Sequence, residues 1–509
     1  MSYSIKEIDG AIILHWTSTG FDEGLGEFEP DIIRPPAPFA LNEVFVKRNI
    51  QSTVINYAVH WDTKELADLL MQWCKRKNIS KPVLLVSSLS PTSMFNPNEK
   101  FQKLLKAIQK YTDFLFLMGG PYHGFTTYEN SILPDYLFSG RTLHLLEHWL
   151  DGDISNLDDH CLEMKGIKRI RPKTSEVVEN PIVPKLYDDY CLSETDVLSF
   201  EVRVGCKFNC TFCNFEHRNA KQVSDSTSED IYEFLNDANT KYGINYFNMC
   251  DDTANEDHEK LDILLGATRQ LDFKPFLGGF SRFDLLLRNK GMVEKMDEIG
   301  YHAHWFGIES MHKGANKLIR KSIGREEITE YFKFLNKNYP HWELTASMII
   351  GLPREPMDHT WSVFKENSKN KYIRNIFTYA MDLIDLDHNF ASDLVKDPAK
   401  YGIEVEKKIV HDGKETQEFL WTHAESNWQS SRILQDRIEK LNKRSGIKKL
   451  DPWQILVSKS LGVDLNEPKY RDVDHPEYAH DNIQKVIFPL MEKHIQNYIS
   501  LKTDYLKNN

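Results

Sequence analysis

Cys206, Cys210 and Cys213 lie in the run GCKFNCTFCN, a CxxxCxxC spacing. Thiolates are the ligands of iron–sulfur clusters, and three of them leave one iron of a four-iron cluster without a protein ligand. An outside molecule can then coordinate that iron, so the spacing points to a reactive cluster rather than a structural one. Structural zinc is the competing reading. It wants four closed ligands, and the next histidine, His217, could complete a Cys3His set. A disulfide fits less well: seven cysteines are an odd count, and no signal peptide is read at the start of the chain. The cysteine usage suits a reduced, cytoplasmic protein.

A chain of 509 residues has room for two or three domains. No apolar run approaches the ~18–20 residues that span a membrane. A net charge of −12 argues against a broad electrostatic grip on nucleic acid. The basic run KGIKRIRPK (165–173) reads as a solvated inter-domain linker.

In the N-terminal third, short apolar runs alternate with helical spacing. STVINY (52–57), VLLVSS (83–88) and FLFLMGG (114–120) read as strands; 63–77, 101–111 and 142–150 read as helices. This alternation predicts a doubly wound, Rossmann-like parallel sheet. Gly119 and Gly120 would either let a ligand approach the carboxyl edge of that sheet or simply make the turn.

A second βα series follows. Strands are expected at 197–204, 244–250, 276–281, 303–308, 344–350 and 376–381, at intervals of roughly 30–45 residues. Six such units predict a partial (β/α)6 TIM-like barrel, with chemistry at the carboxyl ends of its strands. The cysteines follow the first strand, where a catalytic group belongs. The last 120 or so residues show long helical stretches (427–442, 478–499) and read as a mainly helical extension. The expected division is 1–175, 176–388 and 389–509.

The central segment resembles the radical S-adenosylmethionine superfamily. CKFNCTFC carries the cluster spacing; MCDDT (249–253), GGFSRFD (278–284), FGIES (306–310) and SMIIGLPRE (347–355) follow in order at strand ends. The resemblance implies a 4Fe-4S cluster on Cys206, Cys210 and Cys213. S-adenosyl-L-methionine would occupy the open iron and be cleaved reductively to methionine and a 5′-deoxyadenosyl radical. It implies Phe212 near the adenine, Asp251 and Asp252 on the methionine ammonium, Arg282 on its carboxylate, Glu309 on the ribose, and Ile349 and Gly351 against the adenine. Each has a plainer reading: a core aromatic for Phe212, an acid–base pair or helix cap for the aspartates, a surface ion pair for Arg282, a turn for Gly351.

The N-terminal third resembles the cobalamin-binding domain of one radical S-adenosylmethionine subfamily, through RPPAPFAL (34–41), VLLVSSLSPT (83–92), FLFLMGG and DYLFSGRTLHLLEHWLDG (135–152). A DxHxxG signature is absent, and SGRT (139–142) stands where an acidic loop is usual. Cobalamin would sit near Ser87, Ser88, Gly119 and Gly120, with Tyr122 and His123 beside it. That implies a methyltransferase acting on an unactivated carbon or a phosphorus centre. The alternative is a cobalamin-independent enzyme of rearrangement, cyclisation or oxidation, with this domain as scaffold. A non-catalytic iron–sulfur or zinc protein is a third possibility, which the set Arg282, Glu309 and Gly351 argues against. The other cysteines are too few and too scattered for a second cluster. The expected partners are a small-molecule or peptide substrate and an electron donor such as flavodoxin or ferredoxin, without nucleic acid or membrane. Trp421 and His423 would line the open side of the barrel, or else be a packed tryptophan and a surface histidine.

Overall fold

The computed structural model describes residues 7–16, 32–87, 99–120, 130–152, 161–164, 167–171, 180–215, 223–289, 291–321, 323–384, 391–411, 414–465, 467 and 479–509. The chain forms two compact units. One comprises residues Met1–Phe200, Glu233–Ile244 and Pro489–Asn509; the other comprises Glu201–Tyr232 and Asn245–Phe488.

The strands of the first unit are β1 (Gly10–His15), β2 (Ile33–Arg34), β3 (Gln51–Ile55), β4 (Pro82–Ser87), β5 (Leu115–Gly120), β6 (Tyr136–Ser139), β7 (Cys161–Met164), β8 (Ile167–Ile170) and β9 (Val197–Phe200). Seven of them make a sheet in the order β3-β1-β4-β5-β6-β8-β7, parallel except for the β7–β8 hairpin. β2 pairs in parallel with β9. Continuous apolar runs suit the central strands because helices cover both faces of such a sheet. β1 is buried throughout, as is β4 apart from half-buried Ser87. Helix Thr63–Arg76 shows how the sequence shapes its cover. Asp62 caps it through the amides of Lys64 and Glu65, Lys75 and Arg76 sit in its last turn, and Leu66, Leu69, Leu70 and Trp73 are buried. The expected doubly wound domain is therefore present.

The described core of the basic run at 165–173, residues 167–170, is not a solvated linker. These residues are β8, with Ile167, Arg169 and Ile170 buried, and Arg169 donates to Ser139 Oγ at 2.9 Å. Counting charges hid an edge-ward strand whose apolar residues bracket two cations.

A buried polar cluster ties distant parts of this unit together. Arg34 pairs with Asp196 at 2.5 Å and lies between the rings of Tyr57 and Tyr498, 4.5 Å from each centroid. His494 bonds Tyr57 at 3.1 Å, and Lys502 pairs with Asp189 at 2.5 Å. Buried charges are tolerated only when paired in this way. His15, at the end of β1, sits beside this cluster. Burial, aided by the charge of Arg34, pushes its pKa down to about 4. The folded protein therefore binds fewer protons than the unfolded chain between about pH 6.5 and 4, so the stability that neutral His15 contributes is intact above that window and lost within it. We expect about 2 kcal/mol to be lost between pH 7 and pH 5 through this residue. Denaturant melts of wild type and His15→Gln at both pH values test this. A difference between them that does not change with pH would exclude His15 as the titrating group.

The second unit begins with an antiparallel pair, β10 (Arg203–Val204) and β11 (Ser224–Asp225). Five parallel strands follow in spatial order: β12 (Tyr246–Met249), β13 (Phe276–Ser281), β14 (Tyr301–Glu309), β15 (Glu343–Ile350) and β16 (Asn375–Ala380). With β9, these are the six strands expected of the βα series. Helices His258–Thr268, Arg325–Asn338 and Met357–Asn370 fall between them, each burying one apolar face. The C-terminal region is mainly helical (Trp428–Arg444, Pro452–Ser460, Ala479–Asn508), and it adds an antiparallel sheet, β17 (Glu404–His411), β18 (Lys414–His423) and β19 (Ser426–Asn427). Its charged outer positions mask the alternation that would have revealed it. Among the described residues no helix is long and apolar enough to cross a membrane.

Candidate active site

The cysteine loop starts where β10 ends. Gly205 takes φ +94°, a left-handed turn that favours glycine, and Cys206 follows at once. The strand before it is clamped electrostatically. Arg203, 3% exposed, reaches Asp225 at 2.5 and 2.9 Å, Glu256 at 3.0 Å and Asp257 at 2.7 Å. Glu256 turns its other oxygen to the amide of Lys207, inside the loop, at 2.5 Å. The segment after β12 thus sets the position of the cysteines.

All three cysteines are uncrosslinked and half-buried. Cys206 lies 3.9 Å from Thr253 Oγ1, and Cys213 accepts from the amide of Phe215 at 3.4 Å. Burial pushes both thiols up, Cys213 to about 12, and the carboxylate of Asp252 adds to the effect. Such thiols ionise when a cation binds them, because the cation reverses the local electrostatics. The donor set therefore fits an iron centre. His217, the fourth ligand of the zinc reading, lies outside the described residues.

Arg282 is 7% exposed, so it is not a surface ion pair. Asp284 holds it with two bonds, at 3.0 and 2.8 Å, its plane lies 3.9 Å from the Phe208 ring centroid, and Nη1 donates to Cys210 Sγ at 3.3 Å. A guanidinium fixed in this way presents a rigid fork beside the cysteines. The two aspartates part company. Asp251 is buried and fully engaged: it accepts the amides of Val202 at 2.9 Å and Arg203 at 2.7 Å and pairs with Lys260 at 2.6 Å. Its carboxylate is thus occupied by the backbone that leads into the cysteine loop and by Lys260. Asp252 is half-buried and close enough to bear on the thiols of Cys206 and Cys213.

Glu309 ends β14 at φ +64°, a strained geometry for a non-glycine residue. It is buried, pairs with Lys321 at 3.1 Å and accepts from Ser347 at 3.5 Å. Lys321 also donates to the Gly307 carbonyl and lies 5.8 Å from the centroid of the Phe212 ring. No sequence pattern singled out Lys321, since its partners are non-local. Phe212 and Ile349 are half-buried against a core that includes Leu318, Leu352 and Trp421. Gly351 adopts φ +91°, and a Cβ there would meet Ser431 Oγ at 2.0 Å and the Trp421 ring at 3.1 Å. Trp421 is packed in that core. His423 is not a surface residue: its side chain is 1% exposed, bonds the Gly351 carbonyl at 2.9 Å through Nε2 and stacks on Trp421 at 5.3 Å.

In the first unit, Ser87 ends β4 and is in register with Gly119 of β5. Among the described residues, a Cβ on Gly119 would meet only the Val86 carbonyl, at 4.0 Å. Gly120 ends β5 and accepts from the Gly140 amide at 3.0 Å. His15 is in register with Ser87 at the end of β1, a neighbour that sequence reasoning missed because it closes an ordinary apolar run. Ser88, Tyr122 and His123 lie outside the described residues.

Residues 200–366 match the model of the Radical SAM superfamily. The chain is 29% identical over 163 residues to "Uncharacterized methyltransferase PH0819" of Pyrococcus horikoshii, a match spanning 32% of this chain and 34% of that protein. It is 24% identical over 153 residues to the cytidylyl-2-hydroxyethylphosphonate methyltransferase of Streptomyces wedmorensis, spanning 29% of this chain and 27% of that one. The chain thus matches about a third of the length of these curated relatives. The fold is shared with two solved structures. The radical S-adenosylmethionine methyltransferase TsrM of Kitasatospora setae, with cobalamin and a [4Fe-4S] cluster bound, superposes with a TM-score of 0.61 at 10% identity, covering 94% of this chain and 99% of that one. The cobalamin-dependent radical enzyme OxsB, with aqua-cobalamin and S-adenosylmethionine bound, gives 0.57 at 11% identity, covering 98% and 79%.

Proposed function

We infer from a chain that carries a radical S-adenosylmethionine domain that it is an enzyme cleaving S-adenosyl-L-methionine reductively and, with cobalamin, moving a methyl group to an unactivated carbon. The observation that carries this reading is the buried Arg282 fork held 3.3 Å from Cys210 Sγ, in a loop with two further uncrosslinked cysteines. A 4Fe-4S cluster would supply the electron that breaks the sulfonium C–S bond, and cobalamin would supply a methyl carrier.

The chain's own residues hold and orient. Cys206, Cys210 and Cys213 bind the cluster and leave one iron open. Arg282, locked by Asp284, receives the methionine carboxylate, and Asp252 rather than Asp251 faces the ammonium. Glu309, fixed by Lys321 and Ser347, accepts from the ribose hydroxyls. Phe212, Ile349 and the backbone at Gly351 border the adenine, and His423 holds the Gly351 carbonyl in place. Ser87, Ser88, Gly119 and Gly120 border cobalamin at the carboxyl edge of the first sheet. The methyltransferase names of the curated relatives and the shared fold of two cobalamin enzymes support this choice over a cobalamin-free reaction. A small-molecule or peptide substrate, a low-potential electron donor of the flavodoxin or ferredoxin kind, a cytoplasmic setting and the division at 1–175, 176–388 and 389–509 complete the reading.

Anaerobic reconstitution with iron, sulfide and hydroxocobalamin tests it. We expect one cluster and one cobalamin per chain, and 5′-deoxyadenosine or S-adenosylhomocysteine after reduction with S-adenosyl-L-methionine. A protein that forms 5′-deoxyadenosine yet retains no cobalamin would sink the methyltransferase reading and leave the first unit as scaffold.

A further inference from the structure

We propose that Asp297, His302 and His341 form a second metal site, for one first-row divalent cation of the zinc type. Three elements bring them together. Asp297 lies in the last turn of helix Met292–Ile299, His302 is the second residue of β14, and His341 lies just before β15. One ligand atom from each lies within 4.8 Å of the others. The two imidazole rings are 5.0 Å apart and inclined at 71°, edge to face rather than stacked.

Two further observations point to an ion. The Nε2 atom of His302 is buried yet has no hydrogen-bond partner among the described residues, which a nitrogen pays for unless something coordinates it. Asp297 is oriented from behind: Trp342 Nε1 donates to its Oδ1 at 3.0 Å, the arrangement by which an outer partner aims a metal-binding carboxylate. His341 Nε2 sits 2.6 Å from that same oxygen. On binding, this contact is exchanged for two bonds to the cation, and any proton shared there leaves to solvent. His341 is 46% exposed, so aqueous ions reach the site and its ring can close the small remaining distance. Two imidazoles, one carboxylate and a water match the ligand preference of zinc and its neighbours. The site is separate from the cysteine chemistry. It lies at the amino end of β14, whereas Glu309 ends the same strand seven residues on, roughly 23 Å away along an extended chain. It would brace the starts of two adjacent strands against the helix.

The test is calorimetric titration of the cluster-loaded protein with Zn2+ under anaerobic conditions, with the thermal midpoint followed in parallel. We expect one equivalent that raises the midpoint and persists in the Cys206→Ser/Cys210→Ser/Cys213→Ser variant. The His302→Ala/His341→Ala variant should weaken it at least 100-fold, and Trp342→Phe, which removes only the aiming N–H, by about 10–100-fold. Circular dichroism confirms that each variant is folded. Binding that is absent in the wild type, unchanged in the double histidine variant, or lost with the cysteines would overturn the assignment.

Discussion

Cys210→Ala should leave the protein folded but unable to cleave S-adenosyl-L-methionine, with 5′-deoxyadenosine formation down by at least about 1,000-fold. Losses of that size follow when one member of a unit that acts together is removed. Cys210 is the thiol that Arg282 touches, at 3.3 Å. On the proposed function its removal would take one thiolate from the cluster, and it leaves the fork of Arg282 without its sulfur partner. Cys250, which is exposed and lies outside the cysteine loop, is the control: Cys250→Ala should retain the cluster and the cleavage. Iron and sulfide analysis, the cluster absorbance and product chromatography read the outcome. Undiminished cleavage by the Cys210 variant would remove the basis of the assignment.

Arg203→Met should cost about 3–5 kcal/mol of stability, the scale for breaking a buried ion pair from one side. The arginine satisfies carboxylates on three residues, and Glu256 has a side chain 1% exposed. Methionine fills similar volume but leaves that carboxylate charged and without its cation. The damage is directional. Glu256 also holds the Lys207 amide, so the cysteine loop loses its anchor along with the unit's stability. Denaturant unfolding should show the loss, and iron content after reconstitution should fall with it. Arg203→Lys should recover only part, because an ammonium cannot divide its bonds among three partners as the planar fork does. An Arg203→Met protein as stable as the wild type would show that the clamp contributes nothing net.

The elements of the fold were legible where one signal dominated. Buried parallel strands such as VLLVS and SMII stand out as apolar runs, and helix 63–76 announces itself through Asp62 and its leucine spacing. Strand β8 was hidden because its buried Arg169 reads as solvated until Ser139 is known to lie beside it. The hairpin β17–β18 was hidden by its lysines and glutamates. In the site, the strand-end motifs GGFSRFD and FGIES, through the family they resemble, nominated Arg282 and Glu309. They could not separate Asp251 from Asp252. Adjacent residues in an extended segment face opposite ways, and only the amides of Val202 and Arg203 decide which carboxylate turns inward. Lys321 escaped notice because it acts through Glu309, and the burial of His423, nominated as barrel lining or a surface histidine, was hidden because its partner, the Gly351 carbonyl, lies far along the chain.

The pairing of Arg34 with Tyr498, and of Asp189 with Lys502, has a bearing on biosynthesis. The first unit is built from chain on both sides of the second. On a ribosome its parallel sheet emerges early, but Asp189 and the outer face of Arg34 wait for their partners until residue 502 has been made and has cleared the exit tunnel. For most of translation Asp189 lacks the cation that neutralises it in the finished unit. The second unit, contiguous apart from one short excursion, is free to close first. An enzyme assembled in that order acquires its cysteine loop in a finished setting before its amino-terminal half is locked.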